Sequence, residues 1–197
     1  DIFDMEDIDV EYVICADGGL EKAENLNLVP NIIIGDLDSV NSSVLKKYTD
    51  MNIEIVKYPR EKNYTDMELA IEYALEKNYK DIVLIGAVGS RLDHTMANML
   101  LIEKYYNKGI NIKIIDNNNK IQIVTNKMEI LNKRNYYVSL VPITEILEGI
   151  TLEGFKFPLN NINVNRGSTL CISNQITGEK GIITINKGKA LAFISKD

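Results

Sequence analysis

The chain has 197 residues, enough to bury one large core or two small ones, and its 45% hydrophobic and 25% charged residues are ordinary for a globular protein. A formal net charge of −6 with no basic stripe excludes a protein held on nucleic acid by phosphate contacts. It leaves small phosphorylated ligands open, because a metal ion can stand between carboxylates and phosphates.

Short apolar strands alternate with amphipathic helices through the first half. Tyr12-Val13-Ile14-Cys15-Ala16 reads as a buried strand stopped at Gly18-Gly19, and residues 20–28 have helical character. Ile32-Ile33-Ile34 is a second strand, and Val44, Leu45, Tyr48 and Met51 fall at helical spacing. Ile53-Glu54-Ile55-Val56 is a third strand. Thr65, with Glu68 three residues on, predicts a capped helix start. Residues 82–85 are a fourth strand, Asp93 is a candidate cap for the next helix, and residues 110–115 are a fifth strand. Within the helix after Asp93, Met96, Met99 and Leu100 read as core. Strand–helix alternation with nearly all-apolar strands predicts a parallel sheet covered on both faces.

After Asp116-Asn117-Asn118-Asn119 the pattern changes, and this Asn-rich stretch reads as a hinge. Short alternating segments at 121–125, 136–142, 151–157, 169–173, 181–185 and 190–194 follow, separated by turn signals such as Arg166-Gly167 and Lys187-Gly188. The expected fold is therefore an α/β parallel-sheet domain, residues 1–117, followed by an all-β antiparallel sandwich domain, residues 118–197.

Two cysteines, Cys15 and Cys171, sit in apolar runs without metal-ligand spacing and are expected to be buried, reduced thiols. No secretory leader and no bilayer-length apolar stretch is present, so a cytoplasmic location is expected. The chain begins at Asp1, not Met, and its natural N-terminus is expected to lie upstream.

The acidic residues carry the chemical signal. Asp17 follows the first strand, Asp36 and Asp38 follow the second, Asp66 opens the helix after the third, and Asp93 lies past the fourth. In a parallel sheet these ends share one edge, where ligands of such folds bind. Crowded carboxylates repel, and a magnesium ion with phosphate co-ligands would relieve the crowding. Arg60, Lys62 and Arg91 are candidates for phosphate oxygens. Gly18, Gly19, Gly35, Gly86 and Gly89 would let backbone approach a ligand. There is no P-loop and no complete dinucleotide fingerprint. With His94 the only histidine, a His-based metal site or a Ser-His-Asp triad has little to work with.

Taken in order, Ala16-Asp17-Gly18-Gly19, Gly35-Asp36-Leu37-Asp38-Ser39, Lys62-Asn63-Tyr64-Thr65-Asp66 and Gly89-Ser90-Arg91-Leu92-Asp93-His94, extended by Asn98, resemble the thiamine pyrophosphokinases. A late Ser173-Asn174 stands where that family keeps a thiamine-contacting pair. The resemblance implies transfer of the pyrophosphoryl group of ATP to thiamine by a homodimer with its active site between subunits. The first domain would bind ATP and metal, and the second would bind thiamine and dimerise. It further implies Mg2+ held by Asp36, Asp38 and Asp66. Lys62 and Arg91 would meet phosphates, and Asp93 and Asp17 would share the rim. Gly18, Thr65 and His94 would contact substrates, and Ser173 and Asn174 would reach thiamine. Asp66, Asp93 and Arg91 would act in catalysis.

Three features depart from the family pattern. Only about ten residues precede the first strand, where the family has an earlier strand and glycine turn, so truncation or disorder is expected there. Asn63 and Ser90 replace a common Asp and Gly. No Trp is present, so aromatic cover over thiamine falls to Tyr or Phe. A pyrophosphokinase for another small alcohol such as a hydroxymethylpterin, or a binding module without turnover, are the alternatives.

Overall fold

The structure, a computed structural model, describes residues 8–38, 40–58 and 63–197. Expectations that fall on Arg60, Lys62 and the first seven residues lie outside them. The chain divides into two compact units, one ending at Asn111 and the other running from Ile112 to Asp197.

In the first unit β1 (Ile14–Ala16), β2 (Ile32–Gly35) and β3 (Glu54–Lys57) form a parallel sheet with β2 in the middle. Ile32, Ile33 and Ile34 are all fully buried, as a central strand covered on both faces requires. Helices α1 (Gly19–Asn25) and α2 (Ser42–Asp50) follow β1 and β2, and Leu20, Ala23 and Tyr48 close a core around Cys15, Ile33 and Leu37. Asn41 caps α2, its Oδ1 accepting the Ser43 N–H at 2.9 Å. The start of α3 (Asp66–Glu76) is the predicted one: the Thr65 hydroxyl accepts the Glu68 N–H at 3.2 Å. Glu68 does not complete a reciprocal capping box, because its carboxylate is taken by Lys104 and the Tyr105 hydroxyl.

Two expectations change around β4 (Asp81–Ile85) and α4 (Leu92–Tyr106). Asp93 is not the cap of α4. The N-cap position is Arg91, which makes no side-chain cap bond, and Asp93 sits in the first turn with its carboxylate on Arg91. The Met96–Leu100 stripe is not core either, since Met96 is 60% and Leu100 51% exposed. The buried row is Thr95, Asn98, Ile102 and Tyr105. The polar members of this row have their hydrogen bonds met, so they can be buried at little cost while the neighbouring apolar stripe stays outside. Tyr105 donates to Glu72 of α3 at 2.6 Å, and Lys108 lies 3.5 Å from the same carboxylate. The Tyr105 hydroxyl holds Glu72 below the usual carboxylate range, while burial pushes the Tyr105 phenol up.

The fourth and fifth strands do not extend the parallel sheet. Among the described residues β4 is not hydrogen-bonded into β1–β3, and β5 (Asn111–Ile115) pairs antiparallel with β6 (Asn119–Val124). The Asn-rich stretch read as a hinge is the turn of this hairpin. The Asp116 carboxylate accepts the N–H groups of Asn118 and Asn119, both at 2.7 Å, and so bends the backbone back on itself.

The second unit is antiparallel throughout its described pairings. β12 (Ala190–Ser195) lies between β6 and β8 (Tyr137–Pro142). A further sheet runs β10 (Leu159–Asn165), β9 (Ile146–Glu153), β11 (Lys180–Thr184), β7 (Lys127–Leu131). Residues 169–173, expected as a strand, instead form a turn in which the Ile172 N–H donates to the Thr169 carbonyl. Both cysteines are buried and free, as expected, and burial raises the Cys15 thiol to about 12.

Two substitutions test this packing. Ile33→Ala at the centre of the sheet is expected to cost about 2–5 kcal/mol, read as a lower urea midpoint at unchanged slope. Tyr105→Phe removes one donor from the part-exposed Glu72 carboxylate, which keeps Lys108 and solvent, and is expected to cost about 0.5–1.5 kcal/mol by the same measurement.

Candidate active site

Because β1 and β2 are parallel and adjacent, the residues that leave them meet at one edge. Asp17 is locked there by three backbone bonds. Its N–H donates to the Ile34 carbonyl, its carbonyl accepts from Leu20, and its Oδ1 accepts the Leu37 N–H at 3.3 Å. The chain takes two uncommon conformations to achieve this, Asp17 at φ +42° and the buried Leu37 at φ +63°. For a bulky residue such as leucine the left-handed region is costly, which marks residues 36–38 as a turn held for a purpose beyond chain reversal. Gly35 makes the arrangement possible. At φ +145°, a Cβ on it would lie 1.8 Å from Asp17 Oδ1, so any side chain there would push that carboxylate aside as well as strain the backbone.

The carboxyl of Asp17 is raised to about 6. Burial is the largest cause, followed by a hydrogen bond with the Asp66 side chain. The negative charges of Asp66 and Asp36 push in the same direction, and the Leu37 N–H opposes them. Asp17 therefore interacts with two of the other carboxylates singled out from the sequence, by a hydrogen bond and charge with Asp66 at the start of α3 and by charge alone with Asp36. Asp38 is exposed and joins through its backbone, its N–H donating to Asp36 Oδ1 at 3.2 Å. Among the described residues no three His, Cys, Asp or Glu side chains form a ready-made metal cage. The donor set still suits magnesium, which commonly takes one or two carboxylates and fills its other positions with water and substrate phosphate.

Asp93 is placed differently. It forms a two-point pair with Arg91, Nη2 to Oδ2 at 2.7 Å and Nε to Oδ1 at 3.3 Å, with both side chains well exposed. The Arg91 guanidinium holds the Asp93 carboxyl below its usual range. No hydrogen bond or ion pair described for Asp93 reaches the other four carboxylates. His94 and Thr65 are exposed, and the Thr65 hydroxyl serves as the cap of α3.

A cleft of about 660 Å³ lies within this unit, lined by Ala16, Gly18, Gly19, Lys22 and Gly86 among others. Lys22 escaped the sequence reading. Its aliphatic stem comes within 3.7 Å of the space a Cβ on Gly86 would occupy, and it lines the cleft together with Gly18, Gly19 and Gly86. A basic residue one turn into the helix after Gly18-Gly19 was the available signal.

In the β-rich unit, a groove of about 650 Å³ is lined by Tyr137, Ser139, Ser173, Phe193 and Ser195 among others. Tyr137 pairs with Ser195 and Ser139 with Phe193 across β8 and β12, so these four share one face. Ser173 borders the groove at φ +58°, its N–H bonded to Ser139 Oγ at 2.9 Å. Asn174 is buried behind it. Its Oδ1 accepts the N–H groups of Phe157 and Gln175, and its Nδ2 donates to the Phe157 carbonyl at 2.7 Å. Of the expected pair, Ser173 faces the groove and Asn174 builds the turn that presents it.

Comparison with known proteins agrees with both units. The family described as "Thiamin pyrophosphokinase, catalytic domain" matches residues 8–114, and "Thiamin pyrophosphokinase, vitamin B1 binding domain" matches residues 120–190. The thiamine pyrophosphokinase of Bacillus subtilis is 34% identical over 186 residues, 93% of this chain and 87% of that protein. The crystal structure of a Bacillus subtilis thiamine pyrophosphokinase superposes with a TM-score of 0.89 at 31% identity, covering 98% of this chain and 91% of that one. One from Geobacillus thermodenitrificans superposes at 0.85 with 32% identity, covering 100% and 92%. With aspartates from separate loops meeting at one sheet edge, and family matches over both halves, the chain belongs to the thiamine pyrophosphokinase family.

Proposed function

We infer that this chain transfers the pyrophosphoryl group of ATP to the hydroxyl of thiamine, giving thiamine diphosphate and AMP. The observation that carries this reading is the interaction of Asp17, at the end of β1, with Asp36, at the end of β2, and with Asp66, at the start of α3, in a chain whose two halves match the catalytic and vitamin B1 binding domains of one family. In the reaction the thiamine oxygen bonds to the β-phosphorus of ATP, the bond from that phosphorus to the AMP oxygen breaks, and the hydroxyl loses its proton. Such transfers depend on positioning and charge neutralisation more than on a strong base.

Asp36, Asp38 and Asp66 would hold magnesium, the hard-oxygen character of all three being its support. The ion would supply positive charge to the phosphate oxygens. Asp17, sharing a hydrogen bond with Asp66, fixes the orientation of that carboxylate. Lys62 and Arg91 would meet phosphate oxygens, and Arg91 must then exchange its contact with Asp93 for one with substrate. That exchange frees Asp93 to orient the attacking hydroxyl. Gly18 and Lys22 in the cleft of the first unit suit the nucleotide, with Thr65 and His94 as further substrate contacts. The groove of the β-rich unit suits thiamine. Tyr137 and Phe193 offer aromatic surface to a cationic ring system, and Ser139 and Ser173 offer hydroxyls. The two antiparallel sheets of that unit would pack as a sandwich.

The working form is proposed to be a homodimer, supported by the exposed apolar stripe of Leu92, Met96 and Leu100 on α4. No described helix is long and apolar enough to cross a membrane. A cytoplasmic location is proposed on the two free, buried thiols.

The direct test is AMP release from ATP and magnesium with thiamine or a hydroxymethylpterin as acceptor. Release with thiamine is expected, and release with the pterin alone would overturn the substrate. Asp66→Asn is expected to lower kcat by about a hundredfold or more; near-normal turnover would remove Asp66 from the site. Gly35→Ala, which drives a methyl group into Asp17, is expected to cost a similar factor, because displacing a site group by about 1 Å costs about 10²-fold. Ser173→Ala is expected to raise KM for thiamine about tenfold, the worth of one hydrogen bond, and to leave KM for ATP unchanged.

A further inference from the structure

We propose that Thr95 and Asn98 are positioning residues for this reaction, holding the loop of residues 86–91 so that Arg91 meets the phosphates. The inference rests on the reading of Arg91 given above. Among the described residues the buried polar side chains are Thr95, Asn98 and Asn174, and the first two both bind this one loop. Asn98 Nδ2 donates to the Ala87 carbonyl at 2.8 Å. Thr95 Oγ1 accepts the Gly89 N–H at 3.2 Å and lies 3.4 Å from the Gly89 carbonyl, so one hydroxyl serves both backbone groups of one residue.

The loop has reason to need anchors. It contains two glycines, and Gly86 sits at φ +79°, so its backbone has little intrinsic preference to hold it in place. Thr95 and Asn98 are three residues apart, stacked on one face of α4. That helix begins at Leu92, directly after Arg91. The loop is therefore fixed twice in its middle by the same helix that fixes its end, and the position of the Arg91 backbone follows from all three attachments. Burying a threonine hydroxyl and an asparagine amide is costly unless their bonds are made, and an apolar residue would pack these sites without that cost. The polar groups are explained by what they bind.

The test is steady-state AMP formation from ATP, magnesium and thiamine in wild type and in Thr95→Val, Thr95→Ser, Asn98→Ala, Arg91→Ala and Arg91→Ala/Asn98→Ala. Thr95→Val and Asn98→Ala are each expected to lower kcat/KM for ATP by about 10- to 100-fold while KM for thiamine stays within about twofold. Thr95→Ser, which keeps the hydroxyl, should retain activity. In the Arg91→Ala background Asn98→Ala should cost less than about threefold, because its effect passes through Arg91. Wild-type Thr95 and the Val variant differ by one hydroxyl at nearly constant size, and the Ser variant keeps that hydroxyl while losing a methyl group, so the three together test the proposal whatever the stability of Asn98→Ala. Unchanged kinetics in Thr95→Val, or an equal penalty for Asn98→Ala with and without Arg91, would overturn it. A wild type that forms no AMP would overturn the reading of function and this inference with it. An active wild type with unaltered variants would overturn this inference alone.

Discussion

Like charges gathered at one sheet edge are the constraint around which the first unit is built. Asp17 shares a hydrogen bond with Asp66 and feels the charges of both Asp66 and Asp36, in a partly buried place where such repulsion is poorly screened. A fold selected only for stability would put a neutral residue at one of these positions. This one instead accepts left-handed backbone at Asp17 and Leu37 and a glycine at position 35 to keep the carboxylates close. The arrangement makes sense when positive charge arrives with the ligand, and strain held by the scaffold then serves the chemistry.

In the proposed function the two units would divide the work between charge and shape. The first supplies carboxylates, a glycine-lined cleft and a basic loop. The second supplies a groove with two aromatic rings and several hydroxyls, which would receive the thiamine. In both, a buried amide stands one step behind a candidate site residue. Asn98 holds the loop before Arg91 and Asn174 holds the turn that bears Ser173. Polar groups inside the protein are here a means of fixing irregular backbone, which lacks the regular ladder that holds helices and strands.

Much of this was legible from residue order alone. The all-isoleucine run at 32–34, the Thr65 cap and the aspartates at strand ends follow from local chemistry that tertiary context did not override. What escaped depended on partners distant in the chain. Met96 and Leu100 look like core by type, yet the helix turns Thr95 and Asn98 inward because their hydrogen bonds to the loop are met there. The stretch at 116–119 looked like a hinge because it is rich in Asn, and it is a hairpin turn because the Asp116 side chain takes two successive N–H groups. β10 was missed because four Asn residues interrupt its apolar positions. Asp93 was placed with the other carboxylates by its position after a strand, and that strand, β4, turned out not to belong to the parallel sheet.

Manganese binding followed by electron paramagnetic resonance, with and without ATP, tests most directly whether the converging aspartates serve to hold a cation. The account expects a manganese site that tightens when ATP is added and weakens at least about tenfold in Asp36→Asn. Equal manganese affinity in wild type and Asp36→Asn, both with ATP present, would contradict it.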